Sequence, residues 1–153
     1  MEAANLTASQ LLSDDSIHNA MVVHAAVGGS TNLVLHIPAI AHAARLRQPD
    51  VDDWARINRS VPRLVDSLPN GPQHFATVQV FLAGGVPEVM LHLRELGLLR
   101  LDAMTVTGRT LGENLDWWTR SQRRQILKDK LSQLDGIDPT DVIMAPDKAK
   151  DRG

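Results

Sequence analysis

Apolar residues at helical spacing mark the first part of the chain. One stripe follows the i, i+3, i+4, i+7, i+8 pattern and consists of Ile17, Ala20, Met21, His24 and Ala25. The pattern predicts one helix, which opens at the capping box Thr7–Gln10 and ends at Gly28-Gly29.

The next segments also have helical character. Thr31–Ala44 is apolar on nearly every side, which predicts a buried helix with Ser30 as its N-cap. Pro38 lies inside this helix and is expected to kink it. The acidic residues of Asp50–Asp53 predict the start of another helix, which ends at Pro62. The expected buried face of that helix is Trp54, Ile57 and Val61.

Prolines and glycines divide the second half of the chain. The composition of Leu68–Pro72 predicts a loop, and short helices are expected at Phe75–Leu82 and Pro87–Gly97. Ala103–Gly108 is rich in β-branched residues and predicts a strand.

A second capping box, Thr110–Glu113, predicts one long helix that runs to about Leu134 and stops at Gly136. The basic stretch Arg120–Lys130 is expected to be the solvated face of this helix. Its expected buried residues are Leu115, Trp118, Leu127 and Leu131.

Together these patterns predict an α/β fold that is rich in helices and has only a few short strands. We expect residues 1–144 to form a partial α/β domain and residues 145–153 a loose polar tail. Since one clear strand makes a poor sheet, the pattern also suggests that partner elements are missing from this chain.

Composition narrows the function classes. The chain has 153 residues and a net charge of only −2, which argues against a general nucleic-acid-binding protein. It has no cysteine, so a disulfide scaffold and any thiolate-ligated metal site of its own are excluded. No signal peptide or membrane-length apolar run is visible, so a soluble cytoplasmic protein is expected.

The turn Gly28–Asn32 is the sharpest candidate site. Paired glycines let the backbone approach a ligand closely, and a helix start offers N–H groups to an anion. The hydroxyl and amide side chains of Ser30, Thr31 and Asn32 suit a carboxylate, a phosphate or sugar hydroxyls. The local pattern alone favours the alternative, a helix end followed by a helix start.

Other candidates are weaker. Thr107, Arg109 and Thr110 could face a ligand where the predicted strand ends, and Gly84-Gly85 before Glu88 is a second glycine–helix junction. Capping and packing are the simpler explanation of both patterns.

The six histidines do not predict a metal site. The pairs His18/His24 and His36/His42 are each six residues apart, which places their members on different faces of a helix. His36 is expected to be a core histidine rather than a ligand.

Several longer blocks resemble one enzyme family. "GGSTNLVLHIPAIAHAA", "FLAGGVPEVMLHL" and "TVTGRTLGENL", in this order, resemble the dihydroxy-acid dehydratase/6-phosphogluconate dehydratase family. "VDDWARINRSVPRLV", "LPNGP" and "ENLDWW" are most similar to its sugar-acid branch, and the resemblance extends from about Leu6 to Met144.

The resemblance implies a lyase that removes water from a 2,3-dihydroxy carboxylate and yields a 2-keto-3-deoxy acid. In the family an iron–sulfur cluster acts on the leaving hydroxyl, Mg²⁺ holds the carboxylate, and a serine takes the C2 proton. The cluster cysteines, most Mg²⁺ ligands and the catalytic serine of the family lie outside the part that matches here. We therefore expect no cofactor and no catalytic residue in this chain.

The resemblance also changes the interpretation of the candidate residues. It implies that Gly29, Ser30, Thr31 and Asn32 line the active site of a complete enzyme, with His36, Thr107 and Thr110 as weaker candidates. Arg45 departs from the family pattern, because it stands where the family helix usually closes with glycine.

Three functions follow as hypotheses. The chain is a dehydratase segment that needs the rest of the polypeptide, or homologous subunits, for activity on a small sugar acid. Alternatively it is a truncated, non-catalytic binding or oligomerisation module. The third hypothesis is an independent anion-binding domain that uses Gly28–Asn32. Nucleic acid and membrane are not expected as partners.

Overall fold

The computed structural model describes residues 6–67 and 75–151. Within these ranges the regular structure is helical: α1 (Ala8–Leu11), α2 (Asp14–Val27), α3 (Leu33–Ala43), α4 (Val51–Ser60), α5 (Thr77–Leu82), α6 (Gly85–Glu95), α7 (Leu111–Thr119), α8 (Gln122–Asp135), α9 (Pro139–Val142) and α10 (Pro146–Asp151). The predicted loop Leu68–Pro72 lies outside the described residues.

The core forms around α2, which packs against α3, α4 and α6. α6 also contacts α5 and α7, and α8 packs against α5 and α9. Met21 and Val22 of α2 are each only 2% exposed, and Trp54 and Ile57 of α4 are buried as predicted. The larger set of buried core residues includes Leu64, Val65, Val89, Leu93, Leu115, Leu131 and Val142.

The N-terminal helix prediction is wrong in one respect. The capping box at Thr7 is present, but it opens only α1. A second cap at Ser13 opens α2, because the Ser13 side chain accepts a hydrogen bond from the Ser16 N–H at 3.2 Å. α2 then ends at Gly28, which has the left-handed conformation expected of a terminal glycine.

The strand predicted at Ala103–Gly108 does not form. Met104 makes a single isolated β-bridge with Thr110, and the residues between them turn back sharply. The Thr105 hydroxyl donates to the Arg109 carbonyl at 2.8 Å, and the Gly108 N–H donates to the Thr105 carbonyl at 3.0 Å. Local threonine hydrogen bonds therefore replace a sheet partner. The described residues are helix-rich, as predicted, and contain only isolated bridges instead of a sheet.

The prediction that α3 is buried is also wrong. Only Ile37 and Ala41 of this helix are buried. Val34, Leu35 and Ile40 are 41%, 74% and 45% exposed. α2 packs against one side of α3, and within the described residues the opposite side, largely apolar, stays exposed.

The helix predicted from Thr110 to Leu134 is two helices. The Thr110 cap is confirmed, but Arg120 ends α7 and the extended backbone of Ser121 separates it from α8. Gly136 ends α8 in the left-handed conformation, as expected. Pro146–Asp151, in the segment expected to be loose, forms α10, where Lys148 pairs with Asp141 at 2.6 Å.

Arg45 is the one non-glycine residue with positive φ among those described, at 59°. A side chain in this left-handed conformation costs about 1–2 kcal/mol because Cβ approaches the following carbonyl. The strain supports the sequence-based observation that glycine is the more suitable residue here.

We expect Arg45→Gly to stabilise the chain by about 0.5–1 kcal/mol, since relief of strain exceeds the extra freedom that glycine gives the unfolded state. Urea unfolding would measure the change. Ala44→Gly is the matched control, because Ala44 is right-handed, and this change should destabilise. Equal effects of the two changes would contradict the strain at Arg45.

Candidate functional site

The turn between α2 and α3 is built by two glycines with different tasks. Gly28 has φ 68° and ψ 46°, and this left-handed conformation ends α2. Gly29 makes the close approach, because a Cβ at Gly29 would lie 2.5 Å from Cδ2 of His24.

His24 holds the far side of this turn. Its Nε2 lies 2.9 Å from the Ser30 carbonyl oxygen. A carbonyl oxygen can only accept a hydrogen bond, so Nε2 carries the proton and donates it. The ring packs edge-on against Trp54 with centroids 5.3 Å apart. Within the described residues its Nδ1 is buried without a hydrogen-bond partner. The imidazole is thereby a rigid support of the turn.

The three polar residues of the turn are exposed. The structure gives Asn32, and not Ser30, as the residue that precedes α3. The Ser30 hydroxyl accepts a hydrogen bond from the Asn32 N–H at 3.3 Å. The Ser30 and Thr31 carbonyls accept from the N–H groups of the first α3 residues at 3.0 Å. The outer surface of the turn therefore presents two hydroxyls and an amide to solvent.

The weaker candidates occupy two different places. His36 is exposed on α3, so its interpretation as a core histidine is wrong. Thr110 is the N-cap of α7, and its hydroxyl accepts from the Glu113 N–H at 3.2 Å. Thr107 belongs to the same hydrogen-bonded group through Asn114, whose Nδ2 donates to the Thr107 hydroxyl at 2.9 Å. No hydrogen bond between described residues links this group to the α2–α3 turn.

The structure shows a charged cluster that the sequence did not predict. Glu88 of α6 is only 3% exposed, and Arg124 of α8 binds its two carboxylate oxygens at 2.7 Å each. Lys128 donates to the same carboxylate at 2.6 Å, and Trp118 Nε1 lies 3.3 Å from it. Arg124 and Lys128 are therefore anchors of α8 and not part of a solvated face.

Burial and the two bound cations act in opposite directions on the pKa of Glu88. Burial by itself would raise the pKa of Glu88, but the hydrogen bonds and charges of Arg124 and Lys128 outweigh burial and lower the pKa to about 2. In the sequence, the i, i+4 spacing of Arg124 and Lys128 places both cations on the same side of a helix, where they could share one partner. Nothing in the sequence identified a carboxylate on α6 as their partner.

The donor set does not fit the cofactors that the family resemblance implies. The chain has no cysteine to ligate an iron–sulfur cluster. Among the described residues no three histidine, aspartate or glutamate side chains are grouped to hold a metal ion. The described helices also include none that is long and apolar enough to cross a bilayer.

Comparison with known proteins identifies the family. Residues 1–114 match the model of the dihydroxy-acid/6-phosphogluconate dehydratase N-terminal region. Over 153 residues the chain is 63% identical to the D-xylonate dehydratase YagF of Escherichia coli K12, and over 148 residues it is 62% identical to D-xylonate dehydratase YjhG of the same strain.

A dihydroxy-acid dehydratase of Nocardia farcinica is 49% identical over 110 residues, which are 72% of this chain. The chain spans only 23% of the length of either D-xylonate dehydratase and 19% of the Nocardia protein. Because the family model matches most of its length, the chain belongs to the dihydroxy-acid/6-phosphogluconate dehydratase family.

Proposed function

We propose that this chain is a segment of a sugar-acid dehydratase, a lyase that converts a 2,3-dihydroxy carboxylate into a 2-keto-3-deoxy acid. The observation that carries the proposal is the identity of 62–63% to two D-xylonate dehydratases along at least 97% of the chain. The match to the dihydroxy-acid dehydratase covers less of the chain and is weaker.

In the proposed enzyme the turn Gly29–Asn32 forms one wall of the substrate site. The exposed hydroxyls of Ser30 and Thr31 and the amide of Asn32 can bind sugar hydroxyls or a carboxylate. His24 supports this surface from inside through the Ser30 carbonyl. The turn can therefore keep its shape before substrate arrives, which lowers the entropic cost of binding.

The remaining groups of the reaction must come from outside this chain. We propose that an iron–sulfur cluster and Mg²⁺ are held by the rest of the dehydratase polypeptide. The chain has no cysteine, and its described residues include no group of three histidine, aspartate or glutamate side chains that could hold a metal ion. The isolated chain is then inactive. Association with homologous subunits and a location in the cytoplasm remain predictions.

A segment exchange tests the proposal. We expect that replacing the matching segment of YagF with this chain retains D-xylonate dehydration within about tenfold of the parent enzyme. Ser30→Ala combined with Asn32→Ala in that chimera should reduce kcat/KM by roughly 100-fold, in line with loss of positioned polar contacts. Formation of 2-keto acid is the readout. A folded but inactive chimera, or turnover by the isolated chain, would contradict the proposal.

A second function, a non-catalytic oligomerisation module, is favoured by the uncovered apolar face of α3. Val34, Leu35 and Ile40 are 41%, 74% and 45% exposed, and a second copy of the chain could cover this apolar surface. We expect sedimentation of the isolated chain to show self-association that Leu35→Glu abolishes. A monomer at all concentrations would exclude this function and leave the dehydratase proposal unaffected.

A further inference from the structure

The loop before α7 and the first two turns of α7 form a cleft of about 330 Å³. It is lined by Thr107, Arg109, Asn114 and Trp117. Small-molecule sites in proteins are concave, contain aromatic surface and have a few polar groups that fix the orientation of the ligand. This cleft is lined by one aromatic and three polar residues, and its volume lies at the small end of the usual range.

Hydrogen bonds make the polar wall of the cleft rigid. Asn114 Nδ2 donates to the hydroxyls of Thr105 and Thr107 at 2.6 and 2.9 Å. The Thr105 N–H and hydroxyl both donate to the Arg109 carbonyl, at 2.9 and 2.8 Å. The backbone that carries Arg109 is therefore fixed without a ligand, which favours affinity.

The Arg109 guanidinium has no ion-pair partner within 4 Å among the described residues. The two carboxylates of α7 are held by other groups. Glu113 accepts hydrogen bonds from the N–H and hydroxyl of Thr110, at 2.8 and 3.1 Å. Asp116 pairs with Arg94 at 2.8 Å. Arg109 attracts Glu113 through its charge, but only at a distance longer than an ion pair. Its guanidinium N–H groups can therefore still bind an external carboxylate through two parallel hydrogen bonds.

Trp117 supplies the aromatic surface. It is 54% exposed, whereas Trp54 and Trp118 are each only 6% exposed.

We propose that this cleft is a binding site for a polyhydroxy carboxylate, separate in the chain from the turn Gly29–Asn32. Arg109 binds the carboxylate, the outer face of the Thr107 hydroxyl accepts from a ligand hydroxyl, and the Trp117 ring covers the C–H face of the carbon chain. The choice of a sugar acid as ligand rests on the proposed function.

Titration of the ¹⁵N-labelled chain with D-xylonate tests the site. We expect saturable chemical-shift changes at the Arg109 backbone amide, the Asn114 side-chain amide and the Trp117 indole N–H. Xylitol, which lacks the carboxylate, should bind at least tenfold more weakly, and so should D-xylonate to Arg109→Gln. Arg120→Gln is the control, because Arg120 is exposed at the end of α7 but does not line the cleft.

The outcomes separate the two proposals. Shifts confined to residues 29–32 would overturn the cleft and leave the proposed substrate wall intact, whereas shifts at Arg109 and Trp117 alone would support the cleft and count against that wall. If Arg109→Gln binds D-xylonate as tightly as the wild-type chain does, the cleft is overturned as a site for this acid.

Discussion

Replacing Glu88 by glutamine is expected to destabilise the chain by about 3 kcal/mol. Removal of one partner from a buried ion pair costs roughly 3–5 kcal/mol, because the remaining charge loses its compensation. Arg124 and Lys128 keep 30% and 23% of their side-chain surface exposed. Water can therefore solvate part of the charge that the substitution leaves unpaired, and we expect a cost at the lower end of this range.

Urea unfolding at pH 7 would measure this change. Arg123→Gln is the matched control, because Arg123 lies on the same helix, is exposed and has no ion pair among the described residues. Its effect should stay within about 0.5 kcal/mol. If both variants unfold at the same urea concentration, the cluster does not anchor α8.

The same cluster predicts a pH dependence with a definite sign. The pKa of Glu88 is about 2 in the folded chain against 4.5 for the ordinary group. Its stabilisation is therefore complete above pH 4.5 and is lost as the pH falls toward 2. The difference in unfolding free energy between the wild-type chain and Glu88→Gln should fall by roughly half between pH 7 and pH 3. A constant difference would show that the carboxylate charge is not the source of the stability.

The second large effect is expected at Gly29. Its φ is not positive, so the backbone at this position can accommodate alanine. The substitution therefore measures only the steric effect of the added methyl group. That Cβ would lie 2.5 Å from His24 Cδ2 and 3.0 Å from Nε2. The hydrogen bond to Ser30 and the packing against Trp54 hold the imidazole in place. Gly29→Ala should therefore cost about 2 kcal/mol through overpacking.

A double-mutant cycle isolates this cause. In a His24→Ala background the methyl group has space, so Gly29→Ala should cost less than about 0.5 kcal/mol. Gly112→Ala is the control, because a Cβ there meets Leu101 at an ordinary 3.5 Å, and a helical alanine should be neutral or stabilising. An undiminished cost of Gly29→Ala without His24 would reject the steric explanation.

Local chemistry made most helix boundaries predictable. The caps at Asp50 and Thr110 are present as expected, because each depends on side chains within three residues of the helix start. Gly28 and Gly136 end their helices in the left-handed conformation that glycine tolerates. The Ser13 cap was missed because the apolar stripe begins only at Ile17 and its helix was extended back to the capping box at Thr7.

The errors concern features that depend on distant residues. α3 has the composition of a buried helix, but whether its outer side is covered depends on what packs there, and α2 covers only one side. Ala103–Gly108 has strand propensity but pairs with no strand among the described residues, and threonine hydrogen bonds close a turn instead. Propensity alone does not decide between these outcomes.

The sequence by itself determined the family, the helix caps and the glycine turn that carries Ser30, Thr31 and Asn32, because motifs and caps are short-range patterns. Only the tertiary structure decided that His24 supports this turn, that Glu88 binds Arg124 and Lys128, and that Arg109 and Trp117 line a cleft. Glu88 and Arg124 are 36 residues apart. Their pairing depends on how α6 and α8 are placed by the whole core, which local patterns do not encode.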